Sequence, residues 1–336
     1  MSIRVAVDGM GGDHAPDVVV EGAVRAAARQ EDIRVLLVGK AEILKSRLDS
    51  LGAGDTPIDI VDAADVIGMA ESPSVAVKTK PRSSIHVGLS LHKSGDADAF
   101  VSAGNTGAVM AASLFILSRL PGVSRPAILT PYPTLKGFCG VVDVGANVDC
   151  RPKHLVQFAA MASIYAQRIW KKADATVGLL NIGEEASKGN ELTREVYGLL
   201  KDDTRLNFVG NVEGRDLMCH AADVVVCDGF IGNVVLKLGE SIASVVPQLV
   251  AQEMQRQKLA PEHQQIVAGV LKGVGKAFNY EEYGGTPLLG VAGNVLIGHG
   301  GSSARAIENM IIAGGEVARQ NVAGSIKDVF GDRKDS

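Results

Sequence analysis

None of the four cysteines, Cys139, Cys150, Cys219 and Cys227, lies in a C-x-x-C pair, and a chain of 336 residues can build a core without covalent staples. A reduced, cytosolic protein is the simplest expectation. An excess of positive charge is lacking too. The 34 Lys and Arg face 38 Asp and Glu, for a formal net charge of −4, which argues against a general nucleic-acid binder. No H-E-x-x-H, paired-cysteine or EF-hand spacing occurs, so a catalytic metal has no support. There is no G-x-x-x-x-G-K-[ST]. Gly9-x-Gly11 has His14 where the dinucleotide fingerprint needs a third glycine, and Gly298-x-Gly300 ends equally off-pattern on Ser303. No G-x-S-x-G elbow marks a serine nucleophile. The first eight residues read as a strand rather than a signal peptide. Two uncharged stretches, 99–118 and 283–304, approach bilayer length, but their glycines and polar residues break each into a strand, a turn and another element.

What is abundant is glycine, 39 residues or about 12% where ~7% is usual. With no G-X-Y period, these glycines must serve turns and close backbone approaches. Apolar runs of strand length alternate with helical patterns. Strands are expected at 3–7, 34–39, 58–61, 97–101, 127–130, 137–144, 176–182, 206–209, 223–227, 288–291 and 295–297. Helices are expected at 16–30, 41–51, 83–93, 105–117, 153–170 and 303–321. Near-continuous apolar strands between helices imply an α/β protein, a three-layer Rossmann-like fold with a largely parallel sheet covered on both faces. We expect one α/β catalytic unit over 1–336, with no internal repeat. The segment 234–279 departs from the pattern. Leu238, Ile242, Val245 and Leu249, then Ile266, Val270, Val274 and Phe278, recur at helical spacing, which predicts a protruding helical hairpin with one apolar face. That face packs either on its own sheet or in a homodimer interface. Pro247 is expected to kink or interrupt the first helix.

The glycines gather after strands. Seven segments stand out: 8–14, 102–107, 143–147, 181–185, 210–214, 228–233 and 298–303. In open parallel sheets, ligands bind beyond the carboxyl ends of the strands, and glycine there lets backbone N–H groups reach an anion. Seven such loops suggest a cleft for an anionic substrate. The individual side chains allow plainer readings. His14 can stabilise a turn. Asp8, Asp143 and Asp228 can bond loop amides. Cys139 and Cys227 lie in apolar strands. Lys188, beside Glu184 and Glu185, is either functional or a surface ion pair.

At these loops the sequence resembles a known family. The matching segments are Asp8-Gly-Met-Gly-Gly-Asp-His-Ala-Pro16, Ser102-Ala-Gly-Asn-Thr-Gly107, Asp143-Val-Gly-Ala-Asn-Val-Asp-Cys150 and Leu180-Asn-Ile-Gly-Glu-Glu185 with Lys188-Gly-Asn190. Asn211-Val-Glu-Gly-Arg215, Asp228-Gly-Phe-Ile-Gly-Asn233 and Tyr283-Gly-Gly-Thr-Pro-Leu-Leu-Gly290 complete the series. Together they resemble PlsX, the bacterial acyl-[acyl-carrier-protein]:phosphate acyltransferases, over nearly the whole chain. Gly9 stands where that family more often has Ala. The resemblance implies the fold of the isocitrate/isopropylmalate dehydrogenases and phosphate acetyltransferases, without nicotinamide, other cofactor or metal. It implies reversible transfer of a fatty acyl group from acyl carrier protein to orthophosphate, giving acyl phosphate for a membrane glycerol-3-phosphate acyltransferase in phospholipid synthesis. It implies a homodimer, cytoplasmic and peripherally associated with the inner face of the membrane. It places catalytic roles on Lys188 and Asn233. Substrate and phosphate contacts are expected from Asp8, Gly11, Gly12, His14, Ser102, Gly104, Asn105, Thr106, Asn147 and Asn181.

The chemistry of the residues fits. A thioester is already activated, so phosphate oxygen can attack without a covalent enzyme intermediate. A side-chain amide such as Asn233 suits the tetrahedral oxyanion. Lys188 can neutralise phosphate charge or assist departure of the thiolate. A carrier protein needs a basic patch, for which Lys78, Lys80 and Arg82, or Arg151 and Lys153, are candidates, a solvated basic loop being the plain alternative. The hairpin tip, 255–263, has only Leu259, Ala260 and Pro261 apolar, so membrane contact should be weak and salt-sensitive. The rival functions are a phosphate acetyltransferase-like enzyme using acyl-CoA, and a non-catalytic scaffold for lipid-synthesis enzymes.

Overall fold

The structure is a computed structural model that describes residues 2–54, 56–277 and 283–331. Its first half runs β1 (Ile3–Asp8), α1 (Asp17–Arg29), β2 (Ile33–Gly39), α2 (Ala41–Ser50), β3 (Ile58–Asp62), α3 (Pro73–Thr79), α4 (Ser84–Ser94), β4 (Ala99–Ser102), α5 (Thr106–Ile116), β5 (Ala127–Thr134), β6 (Gly137–Val142) and α6 (Pro152–Arg168). Then come β7 (Thr176–Asn181), α7 (Glu191–Asp202), β8 (Asn207–Glu213), β9 (Val224–Val226), α8 (Gly229–Arg256), α9 (Pro261–Ala277), β10 (Thr286–Leu289), β11 (Val295–Ile297), α10 (Ala304–Arg319) and α11 (Val322–Phe330). The chain divides into two compact units. The first comprises 1–130, 160–173 and 280–336, and the second 131–159 and 174–279.

In the first unit the strand order is β3-β2-β1-β4-β11-β10, followed by the opening residues of β5. The pairings from β3 to β11 are parallel, whereas β10 runs antiparallel to β11 and to β5. Side chains alternate across this sheet as the pleat requires. Gly314 of α10 packs against Val5, Ala99 and Val101, while Gly88 of α4 packs against Phe100, from the opposite face of β4. With both faces covered, β4 is buried along its whole length, which is why its sequence reads as an unbroken apolar run. The second unit orders β6-β9-β7-β8, with the pairings of β9 and of β7 to β8 all parallel. The strands of each unit realise the expected α/β class.

Several details differ from the sequence reading. The segment 210–214 is not a loop after a strand at 206–209, because β8 continues to Glu213. A register shift sets Val177 opposite Phe208 and Gly178 opposite Gly210. The bulge this makes has Gly210 at φ +101°, the left-handed region that glycine enters without strain. Helices α3 and α11 stand where no helix was expected, both being too short to give a clear period. Pro247 does not interrupt α8, which runs unbroken for 28 residues. Proline removes one N–H from the ladder and the neighbouring turns carry the helix on. Beside it, Gln248 Nε2 donates to Ser244 O at 3.1 Å.

The expected hairpin is formed by α8 and α9. Phe278, the expected end of its second apolar stripe, and residue 279 lie outside the described residues. On α8 the buried residues are Gly229, Gly232 and Gly239, all toward its N-terminal half. Val234, Leu238, Val245 and Leu249 on α8 and Ile266, Val270 and Val274 on α9 are exposed. By length and composition α8 is apolar enough to cross a membrane.

Candidate active site

In the first unit, the loops after β1, β4 and β11 meet at the carboxyl edge of three adjacent parallel strands. Asp8 ends β1 fully buried. Its carboxylate accepts the Ser102 hydroxyl at 2.6 Å and the Met10 amide at 3.2 Å, and the Gly104 amide donates to Ser102 Oγ at 3.0 Å. Burial pushes the Asp8 carboxyl above its ordinary range, against the pull of Ser102, Ser84 and the Met10 and Gly11 amides. No side chain fits at Gly11, whose Cβ would collide with Asp8 Oδ2. Gly9 donates to Val38 O and Asp13 to Gly300 O, each at 2.8 Å. Asp8 and Ser102 thus organise the two glycine loops from beneath.

Asn105 caps α5 by accepting the Ala108 amide at 3.0 Å. Its Nδ2 donates to Gly68, Met69 and Glu71 carbonyls at 3.3, 3.0 and 3.0 Å, tying down the segment before α3. Lys80 pins the same segment, to Glu71 Oε1 at 2.6 Å and Val66 O at 2.8 Å. That engagement removes Lys80 from the free basic loop expected at 78–82, and Lys78 lies in α3 rather than in a loop. The His14 ring and the Thr106 hydroxyl are exposed and make no hydrogen bond among the described residues. Gly12 sits at φ +111° against the Gly300 carbonyl.

The second unit carries Asn181 at the end of β7 and Asn147, Lys188 and Asn233 on the segments that follow β6, β7 and β9. β9 lies between β6 and β7 and pairs in parallel with both, so the loops after all three leave the same sheet edge, ~4.8 Å per strand apart. After β6, the buried Asp143 carboxylate accepts the Ala146 amide at 3.1 Å, the Asn147 amide at 2.7 Å and Asn147 Nδ2 at 2.9 Å. The first turn of α8 rests directly on this loop. A Cβ at Gly229 would sit 2.6 Å from Asn147 O, and one at Gly232 would overlap Asp143 O. Asp228 caps the helix, accepting the Ile231 amide at 2.9 Å. Asn233 therefore has a fixed backbone. Gly145, at φ +132°, lies beneath its side chain. Asn233 itself is exposed, and its amide makes no hydrogen bond among the described residues.

After β7, Asn181 Nδ2 donates to Lys188 O at 3.2 Å and to Asn211 Oδ1 at 3.1 Å, and its Oδ1 accepts the Ile182 amide at 2.9 Å. Asn211 Nδ2 donates to Glu185 O at 2.9 Å. These two amides shape the 182–190 loop. Lys188 leans over Gly183, where a Cβ would stand 2.8 Å from Lys188 Cγ. Its Nζ reaches Glu185 Oε2 at 4.0 Å, with both side chains about half exposed or more. That is a long, loose pair which leaves the ammonium free to meet an anion. Sequence reasoning did not assign a role to Asn211. Its place in the matched motif was visible, but its contact with Asn181 is created by β7–β8 pairing.

The two buried cysteines are poorly suited to act as nucleophiles. Burial pushes the Cys139 thiol to about 12 and Cys227 well above its ordinary value. Half-buried Cys150 donates to Asn147 O at 3.5 Å. Among the described residues no three His, Cys, Asp or Glu side chains are grouped to hold a metal.

Comparison with known proteins places this geometry. The model of a family described as fatty acid synthesis protein matches residues 3–325. A phosphate acyltransferase from Salinibacter ruber is 54% identical over 329 residues, covering 97% of each chain. Among solved structures, a phosphotransacetylase from Streptococcus pyogenes aligns with TM-score 0.61 at 20% identity, over 95% of this chain and 94% of that one. A 4-hydroxythreonine-4-phosphate dehydrogenase from Burkholderia phymatum aligns with TM-score 0.50 at 13% identity, over 94% and 98%. The two structures share the fold, as the family resemblance implied. On the sequence match across nearly its full length, the chain belongs to the phosphate acyltransferase (PlsX) family.

Proposed function

We propose that the protein transfers a fatty acyl group from acyl carrier protein to orthophosphate, releasing acyl phosphate for phospholipid synthesis. The observation that carries this is the pairing of an unengaged amide, Asn233, with a loosely held ammonium, Lys188, on loops leaving neighbouring parallel strands. A phosphate oxygen attacks the thioester carbonyl carbon. The carbonyl oxygen becomes an oxyanion, to which Asn233 Nδ2 donates. The C–S bond then breaks, the acyl–phosphate bond remains, and the carrier leaves as a thiolate that takes up a proton. Lys188 offsets negative charge on the phosphate or on the departing sulfur. The backbone-ordering bonds of Asp143, Asn147, Asn181 and Asn211 hold these two groups without reorganisation during the reaction. The buried Asp8–Ser102 pair does the same for the loops of the first unit, where Gly11, Gly12, His14, Gly104 and Thr106 are proposed to meet substrate.

The exposed apolar face of α8 and α9 supports a homodimer in which two copies cover each other's hairpins. The polar hairpin tip supports weak, reversible contact with the inner membrane surface, where a membrane glycerol-3-phosphate acyltransferase would consume the product. Sedimentation as a monomer at micromolar concentration would overturn the dimer, and liposome binding that survives high salt would overturn weak contact. The deciding assay measures acyl phosphate from palmitoyl-carrier protein and phosphate in the presence of EDTA, with acetyl-CoA and palmitoyl-CoA in parallel. Turnover confined to acetyl-CoA would replace this reading with a phosphate acetyltransferase. No turnover on any donor would favour a scaffold.

A further inference from the structure

The stretch 72–130 contains six Lys and Arg and two acids, Asp96 and Asp98, both beyond the end of α4, where the chain's average density would place about seven acids. This stretch contains α3, α4 and α5. The three helices pack together: Pro73 of α3 fills the space a Cβ would need at Gly107 of α5, and the rings of His86 of α4 and Phe115 of α5 lie edge to face with centroids 6.2 Å apart. α5 buries Ala108, Val109, Ala112 and Ile116, yet Phe115 is 68% exposed, and Val75 of α3 is 57% exposed. Lys78 and Arg82 are exposed beside them and make no ion pair among the described residues, whereas Lys80 is held by Glu71. This is an aromatic anchor with a cationic rim on helices that carry no acid; of the acids bordering them, Glu71 is held by Lys80, and the Asp65 amide donates to the Arg82 carbonyl at 3.1 Å. The start of α3 abuts the start of α5, which carries Asn105 and Thr106 of the candidate site.

We infer that the surface around Val75, Lys78, Arg82 and Phe115 is the docking site for an acidic helical protein, the carrier of the acyl thioester. The inference rests on the reading above that a carrier protein is the donor. Charge complementarity selects this occupant. An acidic helix with an apolar stripe meets both the anchor and the rim, and opposite charge also speeds encounter. A second copy of this chain is disfavoured, because an isologous contact would set Lys78 and Arg82 against the same cations across the two-fold axis.

The test compares Lys78→Glu/Arg82→Glu and Phe115→Ser with the unaltered protein, using palmitoyl-carrier protein and palmitoyl-CoA as donors. The expected result is a KM for the carrier protein at least ~10-fold higher, an unchanged kcat, and unchanged kinetics with palmitoyl-CoA and melting temperature. Added salt should raise the KM of the unaltered protein and scarcely move that of the charge-reversed one. An unchanged carrier-protein KM overturns the docking site while leaving the proposed reaction standing. So does an equal loss with both donors. A changed sedimentation coefficient would assign the face to a second copy, and lost binding to phosphatidylglycerol vesicles with KM intact would assign it to a membrane. If the unaltered protein makes no acyl phosphate from the carrier protein at all, the donor assignment fails first and the docking site with it.

Discussion

Replacing Asn233 by Ala separates a chemical role from a structural one more cleanly than any other change in the molecule. The side chain is exposed and its amide bonds to nothing among the described residues. Truncation therefore breaks no internal hydrogen bond, and alanine is a better helix former than asparagine on an exposed turn. The α8 N-terminus is fixed by other groups: the Asp228 cap and the seating of Gly229 and Gly232 on the 143–147 backbone. The melting temperature should hold or rise slightly. If Nδ2 donates to the oxyanion, losing it removes ~3–4 kcal/mol of transition-state stabilisation, or about 10²–10³ in kcat, with little change in KM. The contrast is Asn147→Ala, which deletes the Nδ2 bond to the buried Asp143 carboxylate and keeps only the backbone amide bond. It should lose both activity and melting temperature, because a buried carboxylate is left short of a donor. Acyl phosphate can be followed by hydroxylamine trapping, and stability by calorimetry on the same samples. A kcat within threefold of the unaltered protein for folded Asn233→Ala would refute the oxyanion assignment.

Lys188→Ala should reduce turnover at least ~100-fold with little change in melting temperature, since its pair with Glu185 spans 4.0 Å on the surface; near-normal rates would remove it from the mechanism. Replacing all four cysteines by Ser or Ala should leave turnover and cost some stability, mainly at buried Cys139 and Cys227; an acylated Cys150 found by mass spectrometry would overturn direct transfer. Acid stability offers a further check. Burial opposes ionisation of Asp98, but its bonds to the Arg4 guanidinium and amide win and hold its carboxyl below the ordinary range. A depressed carboxylate stabilises the fold above its unfolded pKa and loses that contribution as pH falls through the folded value. Asp98→Asn should therefore melt below the unaltered protein at neutral pH, and the gap should close in acid. A gap independent of pH would contradict the assignment.

The class of fold and the loops that carry the candidate site were legible in the sequence for local reasons. Strands buried on both faces must be apolar throughout, and a backbone that turns tightly after a strand must use glycine, so β4 followed by Gly104 and β7 followed by Gly183 announce themselves residue by residue. Asn233 was likewise visible through its motif. What the sequence could not give depends on residues brought together from afar. The bulge that extends β8 through Gly210 is set by its partner β7. Asn181 and Asn211 become one support only when their strands pair. Asn105 also holds the segment before α3, because Gly68, Met69 and Glu71, 34 to 37 residues away, arrive within reach. Pro247 leaves α8 continuous because cooperative helical bonds on either side outweigh one missing donor. Periodicity and turn chemistry fix what each segment is, whereas hydrogen-bond partners 30 or more residues distant decide that polar side chains such as Asn105, Asn181 and Asn211 are spent on the fold, while Asn233 stays exposed with its amide unbonded among the described residues.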